Sequence, residues 1–83
     1  MIIEVCGPGC PRCRATEKNV LRVLKELGME PGEEVQVIEV KDIQQITVRG
    51  VMLTPAVLID GVKVCEGKIP NPQEVRKWIE ERR

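Results

Sequence analysis

Four cysteines and no histidine set the range of chemistry open to this chain of 83 residues. The pair that stands out is Cys10-Pro11-Arg12-Cys13, in which two residues separate the thiols, so one turn of helix brings the sulfurs together. The pair falls where a short apolar strand gives way, through Gly7-Pro8-Gly9, to a long helical pattern. A CxxC between a strand and a helix in a small βαβ chain has the form of a dithiol–disulfide redox site. The free backbone N–H groups and the dipole at a helix N-terminus favour a thiolate at Cys10, and the Arg12 cation adds to this. Cys13, inside the first turn, is more shielded and is placed to attack a mixed disulfide formed on Cys10. The lack of histidine removes imidazole-assisted nucleophiles, histidine metal sites and imidazole proton shuttles together.

The other two cysteines admit two readings. Cys6, Cys10 and Cys13 have C-x3-C-x2-C spacing, which resembles the iron–sulfur signature of radical-SAM enzymes, and Cys65 could add a fourth thiolate for zinc or a cluster. Against this, the chain is too short for that family's barrel, and a helix starting at Pro11 would carry Cys13 away from Cys6. Cys6 at a strand end suits an aliphatic slot, since free cysteine behaves as a small buried hydrophobe. For Cys65, a two-residue Asp60-Gly61 hairpin loop pairs Ile59 with Val62 and Val57 with Val64. That register sets Cys65 opposite Ala56, beside Pro55 and near the redox end of the sheet; the plainer alternative is a filler on an edge strand.

Composition narrows the partners. Lys and Arg number 13, as do Asp and Glu, so no net charge favours nucleic acid or an anionic membrane. No apolar run is long enough to span a bilayer. Met1 leads straight into a strand with no basic stretch or cleavage site, so a cytoplasmic location is expected, where two permanent structural disulfides are disfavoured. The length suits one domain over residues 1–83 and a monomer with a modest core. Phe and Tyr are absent and Trp78 is the one aromatic residue, so that core must be built of Val, Ile and Leu. No cofactor is expected.

The elements that must position the cysteines follow from periodicity and caps. A strand is expected over residues 2–6 and a first helix from Pro11 to Leu27, with Val20, Leu21, Val23, Leu24 and Leu27 inward and Gly28 as its stop. Val35 to Val40 is a second strand. Asp42 with Gln45 forms a capping box for a short helix from Ile43 to Arg49, with Ile43, Ile46 and Val48 inward. Ala56–Ile59 and Val62–Glu66 flank the Asp60-Gly61 turn as a hairpin. Asn71, Pro72 and Glu74 open a last helix with Val75, Trp78 and Ile79 buried and a solvated tail, Glu80-Glu81-Arg82-Arg83. The order is βαβαββα. The first two strands are joined through a helix and should be parallel. A four-stranded mixed sheet with helices on both faces is expected.

This arrangement resembles the thioredoxin fold, and most closely the small archaeal and bacterial thioredoxin- or glutaredoxin-like redox-active disulfide proteins. The resemblance covers essentially the whole chain. It is carried by Gly9-Cys10-Pro11-Arg12-Cys13, Val51-Met52-Leu53-Thr54-Pro55, Asp60-Gly61 and Gly67-Lys68-Ile69-Pro70. It implies a thiol–disulfide oxidoreductase that reduces protein disulfides through Cys10 and Cys13 and is itself restored by a thioredoxin-reductase-type donor. It further implies a cis Pro55 against the redox pair, and a substrate backbone received near Thr54, Pro55 and Gly67 alongside Pro11 and Arg12. Two departures stand out. Gly9 replaces the usual tryptophan before the first cysteine. Cys6-Gly7-Pro8-Gly9-Cys10 mimics the family's Cys-Gly-Pro-Cys with one residue too many. Glu4, six residues before Cys10, matches the offset of a buried family acid that would take the proton from Cys13; as the one charged residue of its strand, it otherwise reads as a solvated strand end.

Overall fold

The computed structural model describes residues 1–82; the expected tail position Arg83 lies outside them. The elements are β1 (Ile2–Cys6), α1 (Pro11–Glu26), β2 (Gln36–Val40), α2 (Ile43–Val48), β3 (Ala56–Ile59), β4 (Val62–Glu66) and α3 (Pro72–Arg82). They form one mixed sheet of order β2-β1-β3-β4, with β1 parallel to β2 and antiparallel to β3, and β4 closing an antiparallel hairpin. The cysteine pair therefore begins the helix that follows a central strand.

Alternation along β1 divides the interior in two. Ile3 and Val5 join Val20, Val23 and Leu24 of α1 and Val75 and Ile79 of α3 in one core. Cys6 points the other way, into a smaller core with Val40, Ile46, Val51, Ala56 and Leu58 beneath α2. All four residues of β3 are buried because both of its faces are covered.

The caps form at the expected residues, but the capping box is reciprocal only at Asn71 and Glu74; the Gln45 side chain accepts from Arg49 instead of from Asp42 N–H. The Asp42 carboxylate accepts from the N–H groups of Gln44 and Gln45, and the Asn71 side chain accepts from Glu74 N–H. The apolar faces are narrower than expected. Leu21 lies to one side of the α1 stripe Cys13, Thr16, Val20, Val23 and Leu24, and is exposed. In α2 only Ile46 is buried; Ile43 and Val48 are exposed. The helix has six residues, too few to present a continuous stripe, and Val48 sits more than half a turn round from Ile46.

The hairpin also departs from the expected register. Ile59 faces Val62, but a bulge makes Val64 an extra residue in β4, so Cys65 faces Val57 and Glu66 faces Ala56. The bulge turns Cys65 into the core shared by α1 and α3. The C-terminal segment is helical through Arg82, whose guanidinium donates to the Trp78 carbonyl.

Candidate active site

The site is built on the first turn of α1. Cys10 is the N-cap residue, with extended backbone (φ −69°, ψ 165°), and Pro11 takes the first helical position, where no N–H is needed. The Cys10 carbonyl accepts from Arg14 N–H at 3.0 Å, while its sulfur accepts from Cys13 N–H at 3.4 Å. A sulfur thus does the work of the oxygen that usually caps a helix. The two Sγ atoms are 2.7 Å apart and unbridged, Cys10 half-buried and Cys13 only 5% exposed.

This geometry divides the two thiols. The hydrogen bond from the Cys13 thiol, followed by the N–H groups of Cys13 and its neighbours in the first turn, holds Cys10 below the ordinary thiol value. Burial, then the same sulfur–sulfur hydrogen bond, pushes Cys13 up. Cys10 is therefore the more readily ionised thiol and Cys13 the one that holds its proton more tightly. Arg12 acts differently from expectation. Its guanidinium donates to the Gly67 carbonyl at 3.2 Å, and it is the Arg12 backbone N–H that helps stabilise the Cys10 thiolate.

Gly7 sets how closely the helix meets the sheet. Its N–H donates to Val40 C=O at 2.9 Å, extending the ladder past β1. A Cβ on Gly7 would collide with Cys13 Sγ and lie 3.0 Å from Cys13 Cβ. The same position would be 3.9 Å from Thr54 Cβ, so Thr54 flanks the buried thiol.

The Thr54–Pro55 peptide bond is cis. Pro55 C=O accepts from Gly67 N–H at 2.8 Å, and Gly67 C=O receives the Arg12 guanidinium, so these expected site residues meet around one rim. Gly67 is needed for reasons of its own: its φ is +77°, and a Cβ there would lie 3.1 Å from Leu53 Cδ1. One residue of this rim escaped sequence reasoning. The Glu66 carboxylate accepts from Met52 N–H at 2.6 Å and Leu53 N–H at 3.2 Å, and from Lys63 at 2.9 Å. Lys63 first, then those two N–H groups, lower its pKa to about 2. The signal in the sequence was weak: a carboxylate at a strand end, thirteen or fourteen residues from the groups it binds.

The remaining expected residues lie apart. Glu4 pairs with Arg49 at 2.6 Å, in register with Leu58 and on the same side of the sheet as Cys6, beneath α2. It is not a freely solvated strand end: its side chain is 14% exposed. Cys6 is fully buried, and desolvation raises its pKa. The Cys65 thiol donates to Lys68 C=O at 3.4 Å. With Cys6 and Cys65 in different cores, the alternative thiolate set Cys6, Cys10, Cys13 and Cys65 does not converge. Among the described residues no group of three or more Cys, Asp or Glu is placed to hold a metal ion.

A half-exposed, more readily ionised thiol, a buried partner thiol in contact with it and a cis-proline rim define a dithiol–disulfide exchange site. Residues 1–80 match the family model described as a thioredoxin domain, and the chain belongs to that family. It is 36% identical over 79 residues to a thioredoxin of Methanocaldococcus jannaschii, an alignment covering 95% of this chain and 86% of that one. It is 31% identical over 79 residues to a thioredoxin of Methanothermobacter thermautotrophicus, covering 95% and 97%. The protein is a thiol–disulfide oxidoreductase.

Two variants test this geometry. Gly7→Ala should displace Cys13 and slow reduction of a small disulfide by about 10²-fold, the scale of a displacement near 1 Å; an unchanged rate would mean that the contact is unimportant. Glu66→Gln should lower the thermal midpoint at neutral pH. Because the Glu66 pKa is depressed from 4.5 to about 2, its contribution is full above 4.5 and lost as pH falls through 2. The difference between variant and wild type should therefore narrow across that window; a constant difference would contradict the assignment.

Proposed function

We propose that the protein reduces disulfide bonds in other proteins through a mixed disulfide on Cys10. The observation that carries this reading is the half-exposed, hydrogen-bonded Cys10 sulfur 2.7 Å from a buried Cys13 thiol. Cys10 thiolate attacks one sulfur of the substrate disulfide, and the other sulfur leaves as a thiolate and is protonated. Cys13, after losing its proton, attacks Cys10 Sγ; the Cys10–substrate bond breaks and the second substrate thiol is released. Two electrons have passed to the substrate, and the Cys10–Cys13 disulfide remains.

The substrate chain lies along Thr54, Pro55 and Gly67, with Pro11 and Arg12 on the opposite lip. Met52, 90% exposed, and Leu53, 62% exposed, extend that rim and supply apolar contact. The partners are disulfide-containing proteins and a thioredoxin-reductase-type donor that returns the dithiol. In this reading the protein acts as a single-domain monomer in the cytoplasm.

Incubated with a disulfide-bonded substrate protein, a Cys13→Ser variant should accumulate a mixed disulfide on Cys10. A Cys10→Ser variant should accumulate none. Trapping on Cys13 alone would reverse the two roles, and stoichiometric metal in anaerobically purified protein would oppose the redox reading.

A further inference from the structure

Resolution of the mixed disulfide requires a base for the Cys13 proton. Cys13 lines a small cavity of about 70 Å³ together with Gly7, Arg14, Glu17, Glu39 and Lys41. Glu17 comes four residues after Cys13 on α1, one turn along the same face. Glu39 enters from β2, where it lies in parallel register with Val5, a residue on the α1 side of the sheet. Lys41 holds the Glu39 carboxylate at 3.0 Å. Four charged side chains line the cavity beside the thiol, and a water needs only about 15 Å³ of such space, so there is room for one to bridge a carboxylate and the thiol.

We propose that Glu17 is the base that removes the Cys13 proton during resolution, across this cavity, and that Glu39 and Lys41 set its proton affinity. This deepens the reaction proposed above and rests on it. The electrostatics agree with the geometry. Hydrogen bonding to Glu39, then burial, raises the Glu17 pKa, while Lys41 opposes the rise. Glu17, Lys41 and Arg14 keep Glu39 low and ionised. The two carboxyl groups therefore differ in role: Glu39 is a fixed charge, and Glu17 is the stronger base, closer to matching a thiol. In the step itself, the Cys13 S–H proton passes to Glu17. The new thiolate pair forms the bond to Cys10 Sγ, and the electrons of the Cys10–substrate bond leave with the substrate sulfur, which takes the proton back from Glu17 or from solvent. The resemblance had pointed to Glu4 for this role, but Glu4 is held by Arg49 beside Cys6, beneath α2.

Stopped-flow single turnovers with a disulfide-linked reporter peptide, from about pH 5 to 9, separate first attack from resolution. Glu17→Gln should slow resolution by about 10²-fold, abolish the acid limb of its pH profile and leave the first attack unchanged. Glu39→Gln should move that limb to lower pH, since it removes the charge that raises Glu17. Glu4→Gln should leave both phases as in wild type. Wild-type resolution in Glu17→Gln after a normal first attack would overturn the role of Glu17 alone, as would a resolution defect confined to Glu4→Gln. Absence of any mixed disulfide in wild type would overturn the proposed reaction and this role with it.

Discussion

The Cys13 sulfur rests where a side chain on residue 7 would be, and the rest of the site depends on that close approach. Because Gly7 has no Cβ, the first turn of α1 can lie against the end of β1 while Gly7 N–H continues the ladder to Val40. The approach buries Cys13 and leaves Cys10, at the helix cap, facing outward. Burial raises the proton affinity of Cys13, and the Cys13 S–H as donor lowers that of Cys10. The two thiols thus differ through one packing constraint, with the same residue type in both places.

Around this pair, the structure supplies a rim and a back wall. The rim is a chain of hydrogen bonds from the Arg12 guanidinium to Gly67 C=O and from Gly67 N–H to Pro55 C=O, with Glu66 fastening the segment just before the proline. The back wall is the cavity where Cys13 meets charged residues of α1 and β2. In the proposed reaction a substrate meets the first, and the departing proton meets the second.

Much of this was legible because the signals are local. The CxxC follows a strand and carries Pro11 at the first helical position, and Asp42 and Asn71 cap their helices through residues two or three places on. What was hidden depends on distance or on a single inserted residue. The β4 bulge at Val64 has no sequence signature, yet it moves Cys65 from opposite Ala56 to opposite Val57. Ile43 and Val48 have the hydrophobicity of core residues, but α2 is too short to bury them. Nothing local marks Glu66 or Glu17; only the fold brings Met52 N–H to one and Glu39 to the other. The Arg12 charge suggested direct stabilisation of the thiolate, whereas its side chain spans to Gly67.

The helix start and the buried Cys13 thiol together make Cys10 the more readily ionised thiol. The most direct test of this is titration of thiolate absorbance, with alkylation and mass mapping to assign each step to a cysteine. Cys10 should titrate first, below the free value of about 8.5, with Cys13 above it, and Cys13→Ala should raise the Cys10 midpoint by removing its S–H donor. Ionisation of Cys13 before Cys10, or a Cys10 midpoint indifferent to Cys13→Ala, would contradict the account.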